Sequence, residues 1–134
     1  VSRGKPLVLL VEDDRDTAML YQALLAGEGL EVVHCEDCAQ VKAWWGTSDR
    51  QPDLIVLDMR LPDGDGLMLC SDIMRKRRDE AGPPVMVLSA HGDPRLPSLC
   101  RQAGARAFLD KLSGLDVLLA TARDLLGAKL CPEN

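Results

Sequence analysis

Hydrophobic positions along the chain fall into two alternating textures. Short unbroken apolar runs occur at Leu7–Val11, Leu54–Leu57 and Val85–Leu88, with weaker ones at Leu30–Cys35 and Ala107–Leu109. A run of that length without polar alternation predicts a strand buried on both faces, as in a parallel sheet. Between the runs, apolar residues recur at helical spacing. Ala18, Tyr21 and Leu25 do so first, then Val41, Trp44 and Trp45 after Asp37, and Leu67, Cys70 and Met74 after Gly66. Leu115, Leu118, Leu119 and Ala122 complete the series. Residues three and four apart share one helix face. Five strand–helix units result, predicting an α/β fold whose parallel sheet is covered by helices on both faces through right-handed crossovers. The fourth helix has the poorest signal, because Pro94 and Pro97 delay it and proline fits only a first turn.

Composition narrows the class. A chain of 134 residues, 46% hydrophobic and 28% charged, has the length of one domain and can bury a core unaided. Aromatics are only 3%, so Leu, Val and Ala must fill that core; of Trp44 and Trp45, one is expected to pack under the second helix and the other to lie partly exposed. No internal repeat or linker interrupts residues 6–129, and residues 1–5 and 130–134 are expected to be frayed ends. The net charge of −5 argues against direct nucleic-acid binding, which needs a concentrated basic footprint. The run Arg75-Lys76-Arg77-Arg78 is followed at once by Asp79 and Glu80. It reads as a solvated helix end, where cations suit the dipole, with a partner-docking patch as the alternative. No stretch of about 18 apolar residues is present to span a membrane, and Val1–Lys5 lack a signal-peptide apolar region. Five scattered cysteines fit reduced, structural thiols in the cytoplasm. Cys35 and Cys38 form a C-x-x-C without redox context, Asp37 between them favours a helix start, and Cys131 is expected to be exposed.

The residues with chemical potential gather where the strands end, which is where open α/β sheets place their functional groups. Glu12, Asp13 and Asp14 follow the first run, Asp58 follows the third, Ser89 the fourth, and Asp110 and Lys111 the fifth. Crowded carboxylates repel one another and offer hard oxygens, so a divalent cation is their natural counter-ion. Mg²⁺ takes one or two carboxylates, several waters and a phosphate oxygen. A remaining carboxylate oxygen can attack phosphorus and form an acyl phosphate, with the metal, Lys111 and the Ser89 hydroxyl on the equatorial oxygens. Each residue has a duller reading alone: Asp14 as a helix cap, Ser89 as a turn residue, Lys111 as a surface cation. Their joint placement at successive strand ends is what carries the reading.

These residues closely resemble the receiver domain of two-component response regulators, over about residues 6 to 128. Leu9-Leu10-Val11-Glu12-Asp13-Asp14 is similar to the acidic motif of that family. Leu57-Asp58-Met59-Arg60-Leu61-Pro62-Asp63-Gly64-Asp65-Gly66 is similar to its phosphorylation loop, Ser89-Ala90 to its Thr/Ser-Ala pair, and Lys111 to its lysine. The resemblance implies a flavodoxin-like (βα)5 fold with strand order 2-1-3-4-5. It implies Asp58 as phosphoacceptor, with Mg²⁺ held by Asp13 and Asp58 directly, by Glu12 through water, and by the backbone carbonyl of Arg60. A sensor histidine kinase or phosphotransfer protein is then the donor, and an output domain or downstream protein receives the signal; a phosphorylation-dependent dimer is compatible with this. The domain catalyses only its own phosphorylation and slow dephosphorylation. Ser89 and Phe108 are the implied switch residues, reshaping the face of helix four, strand five and helix five. Arg60 and His91 occupy positions that tune the lifetime of the acyl phosphate, or are plain exposed loop side chains.

Three departures from the family pattern stand out. Leu112 follows Lys111 where the family usually has a cis proline, and a non-proline cis bond costs roughly 2.5–4 kcal/mol, so a trans Lys111–Leu112 bond is expected. Phe108 replaces the common Tyr and has no hydroxyl to donate. The two prolines predict a short fourth helix. Two rivals remain at this stage. One is a phosphatase with an aspartyl-phosphate intermediate, although such enzymes place D-x-D after their first strand. The other is a receiver-like binding module that phosphorylation does not regulate.

Overall fold

A computed structural model of the chain describes residues 4–76, 82–90 and 94–127, without the side chain of residue 76. His91, Asp93, Cys131, the 77–80 end of the basic run and the 130–134 tail lie outside the described residues. Five strands form one sheet: β1 (Leu7–Val11), β2 (Glu31–Cys35), β3 (Leu54–Asp58), β4 (Val85–Ser89) and β5 (Ala107–Asp110). All neighbours are parallel, in the order β2-β1-β3-β4-β5, as the resemblance implies. The central strands β1, β3 and β4 are buried at every position, which is why their sequences show no polar alternation.

Five helices cover the sheet: α1 (Arg15–Gly27), α2 (Cys38–Thr47), α3 (Gly66–Lys76), α4 (Leu96–Gln102) and α5 (Leu115–Leu126). Alternate side chains of each strand feed two cores. Leu9, Val11, Ile55 and Leu57 meet Val41 of α2, Leu69, Cys70 and Ile73 of α3, and Cys100 of α4. Val8, Leu10, Leu54 and Val56 meet Ala18, Tyr21 and Leu25 of α1 and Leu118, Ala122 and Leu126 of α5.

Local chemistry sets the helix starts. Asp14 caps α1 by accepting from the Thr17 N–H, and Asp37 caps α2 by accepting from the Gln40 N–H, each satisfying a donor the first turn leaves over. The short α4 has no side-chain cap hydrogen bond and carries Pro97 in its first turn. The buried face of α3 differs from the expected one. Leu69, Cys70 and Ile73 are buried while Leu67 and Met74 only flank the core and Met68 is exposed, because six apolar residues make a stripe wide enough for more than one face. Leu115 is exposed rather than core-facing. Both tryptophans are half-buried against the α2–α3 core, edge to face with ring centres 5.8 Å apart.

Candidate functional site: an acidic cavity at the carboxyl end of the sheet

Parallel strands point their carboxyl ends the same way, so residues 12–14, 58, 89 and 111 meet at one edge of the sheet. There they line a cavity of about 280 Å³ together with Met59, Arg60 and Ala90. A water occupies about 30 Å³ of liquid, so the cavity has space for a phosphoryl group and several waters.

Lys111 organises the cavity floor. Its ammonium lies 3.0 Å from Glu12 Oε1 and 3.2 Å from Asp58 Oδ2. Burial works against that charge, but the hydrogen bond from Lys111 to Glu12 and the neighbouring Asp58 and Glu12 carboxylates outweigh it, holding the lysine pKa above its ordinary value. Glu12 is only 1% exposed. Burial pushes its pKa up to about 6; the hydrogen bond from Lys111 lowers it, the Asp58 charge raises it, and burial wins. Glu12 Oε2 also accepts the Asp14 N–H at 3.2 Å. Asp58 is buried at the end of β3, with the Arg60 N–H 3.4 Å from its Oδ1.

Glu12, Asp13 and Asp58 each bring a carboxylate oxygen within 4.8 Å of the other two. Such a donor set suits a hard divalent cation, whose preferred ligands are carboxylate oxygens. Asp13 is the exposed member and Glu12 and Asp58 the buried ones. Ser89 is buried at the end of β4, paired in register with Asp110.

The loop after Asp58 is built by two features. Arg60–Leu61 pairs antiparallel with Gly64–Asp65, folding the loop into a small hairpin. The Asp63 carboxylate then reaches α2, accepting the N–H groups of Cys38 and Ala39 at 2.9 and 3.0 Å. That bond pattern holds the Asp63 carboxyl below its usual range, the Cys38 N–H bond acting most strongly. Opposite, Lys111–Ser113 forms a 3-10 turn in which Asp110 Oδ1 accepts the Leu112 N–H at 2.8 Å. The Lys111–Leu112 bond is trans, as expected, since the described residues contain no cis peptide. Leu112 itself is 86% exposed.

The structure thus brings together Glu12, Asp13, Asp58, Arg60, Ser89 and Lys111. Asp14 serves as the α1 cap at the cavity rim. Phe108 lies apart, half-buried against the α2–α3–α4 core. It lines a hollow of about 30 Å³ with Pro97, Cys100 and Ala105. Two contributors escaped the sequence reading: Asp63, whose partners lie 24 and 25 residues away, and His34, whose ring nitrogen stands 2.7 Å from the Glu12 carbonyl. A histidine set between Val33 and Cys35 in a strand-like run was the available signal for His34.

Comparison with known proteins agrees with this geometry. The family described as the response regulator receiver domain matches residues 8–123. Among curated relatives, the KDP operon transcriptional regulatory protein KdpE of Escherichia coli (strain K12) is 34% identical over 116 residues, covering 87% of this chain and 49% of that protein. The DNA-binding dual master transcriptional regulator RpaA of Synechocystis sp. is 34% identical over 123 residues, covering 90% and 49%. The chain therefore spans about half the length of these curated relatives. Among solved structures, the signal receiver domain of a putative Luxo repressor protein from Vibrio parahaemolyticus superposes with a TM-score of 0.81 at 30% identity, covering 93% of this chain and 92% of that one. The BeF3-activated receiver domain of Klebsiella pneumoniae RstA gives 0.79 at 28% identity, covering 90% and 97%. With strand order, acidic cavity and sequence match in accord, the chain belongs to the response regulator receiver domains of two-component signal transduction.

Proposed function

We propose that Asp58 accepts a phosphoryl group with one Mg²⁺ bound beside it, and that this modification is the signal the domain carries. The observation that carries the reading is the position of Asp58: buried at a strand end, 3.2 Å from the Lys111 ammonium, and sharing a cation-suited cluster with Glu12 and Asp13. The donor is the phosphohistidine of a partner kinase or phosphotransfer protein, met in the cytoplasm. An Asp58 oxygen attacks phosphorus, the phosphorus–nitrogen bond breaks, and the released imidazole takes up a proton. Bound Mg²⁺ supplies positive charge opposite the phosphoryl oxygens. Asp13 and Asp58 would hold the metal directly, with Glu12 acting through water and the Arg60 carbonyl as a further ligand. Lys111 meets a second phosphoryl oxygen, and the Ser89 hydroxyl donates to a third. Water reaching the same centre ends the signal, and Arg60 and His91 set how fast it does so.

The output step runs through Ser89 and Phe108. Ser89 draws toward the phosphoryl group, the Phe108 ring turns inward, and the face of α4, β5 and α5 changes shape. The hollow beside Phe108 holds a water or two, so an inward ring requires α4 to shift. A seven-residue helix without a side-chain cap is suited to that. The receiver unit runs from residue 6 to 129, and a further domain or separate protein reads the changed face, with a dimer as one way of doing so.

The test is incubation with Mg²⁺ and a small acyl phosphate, followed by intact-mass measurement. Wild type should gain one phosphoryl group, and Asp58→Asn none. Equal labelling of the two would refute the assignment, as would labelling that persists in excess chelator.

A further inference from the structure

We infer that His34 is a positioning residue for the metal-binding turn, acting through the backbone carbonyl of Glu12; this rests on the Mg²⁺ reading above. At the end of β1, every buried N–H and C=O needs a partner. The Glu12 N–H still belongs to the ladder, donating to the Cys35 carbonyl at 3.0 Å. The ladder ends there, because β2 stops at Cys35. The next group along, the Glu12 carbonyl, is met by the His34 ring nitrogen Nε2 at 2.7 Å. His34 pairs in register with Leu10, two residues before Glu12, and its ring leans along the strand to reach the carbonyl.

Glu12 is thereby held at four points. Its N–H and carbonyl are tied to β2, one carboxylate oxygen to Lys111, and the other to the Asp14 N–H. The peptide that His34 grips is the one joining Glu12 to Asp13. Rotation of that peptide swings the exposed Asp13 carboxylate away from Asp58. A carbonyl only accepts, so Nε2 must carry the proton. His34 contacts no reacting atom; it sets the direction in which the acidic pair faces.

The experiment is Mg²⁺ titration by calorimetry on the full chain, comparing wild type, His34→Phe and His34→Gln, with thermal melts in parallel. His34→Phe should weaken Mg²⁺ binding about tenfold, the lower end for lost outer-shell partners of metal ligands. His34→Gln keeps a donor and should recover most of the affinity. Ring ¹⁵N shifts of the wild type, which need no variant to fold, should show the proton on Nε2. Unchanged Mg²⁺ affinity in a folded His34→Phe, or a ring protonated on Nδ1 alone, would overturn the role of His34 while leaving the phosphoacceptor reading intact. Wild type that binds no Mg²⁺ would overturn both.

Discussion

Replacing Gly66 by alanine tests whether the acceptor loop and α3 are packed as tightly as they stand. A Cβ at that position would lie 2.6 Å from the Asp58 carbonyl oxygen and 3.0 Å from Met59 Cα, both backbone atoms. Ordinary contact begins near 3.5 Å, so the chain must open by about 1 Å. It is further pinned by the Gly66 N–H, which donates to the Met59 carbonyl at 2.7 Å. Overpacking costs about 1–3 kcal/mol, and a clash with two backbone atoms rather than a flexible side chain puts this case in the upper half, about 2–3 kcal/mol. Alanine's better helix propensity returns at most about 1 kcal/mol, leaving a net loss of about 1–2 kcal/mol. With an unfolding entropy near 2.1 cal/mol/K per residue over 134 residues, the melting temperature should fall by about 4–7 °C. Because the displaced atoms include the backbone carbonyl of Asp58, phosphorylation by a small donor should also slow, by about tenfold to a hundredfold for a misplacement of this size. Gly46→Ala is the control: it lies in α2 with no atom within 4 Å of its Cβ, and should melt at or slightly above wild type. Calorimetric melts in metal-free buffer read the first effect and single-turnover labelling the second. A Gly66→Ala protein melting no lower than wild type would refute the packing.

Three further outcomes follow from the site. Glu12 has its pKa raised from 4.5 to about 6, so its contribution to stability is present in full below about pH 4.5 and lost as pH rises through 6, a difference of about 2 kcal/mol; urea unfolding without divalent ions should show that extra loss in wild type but not in Glu12→Gln, and parallel pH profiles would exclude it. Asp63→Ala removes the acceptor of two α2 amides, so Cys38 and Ala39 should exchange hydrogen faster while the amides of β1 and β3 do not. Burial pushes the Cys38 thiol up to about 11, with the hydrogen bond to Asp63 adding to it, so iodoacetamide at neutral pH should alkylate Cys38 far more slowly in the folded than in the unfolded chain.

How much of this was legible in the sequence depended on whether the determinant was local. Leu7–Val11, Leu54–Leu57 and Val85–Leu88 announce central strands because both faces are buried and nothing polar interrupts them. Asp14 and Asp37 are readable as caps because an N-cap acts three residues ahead. The convergence of Glu12, Asp58, Ser89 and Lys111 was readable because parallel strands all finish at one edge, so strand order is not needed to see it. By contrast, α3 offers apolar residues at 67, 68, 69, 70, 73 and 74, and only packing chooses among faces. The Asp63 bridge to α2 and the His34 bond to Glu12 depend on where two distant segments come to rest, which no spacing along the chain encodes.

The edge-to-face Trp44–Trp45 pair has a practical consequence. These are the two tryptophans of the chain, and both sit on α2, the helix whose first turn is bonded to the acceptor loop through Asp63. Tryptophan emission, excited at the red edge where Tyr21 of α1 does not absorb, is therefore a report from a single helix. A change at Asp58 that pulls on the hairpin should appear as a shift in colour or intensity without an added dye, and the domain carries its own optical gauge of the loop.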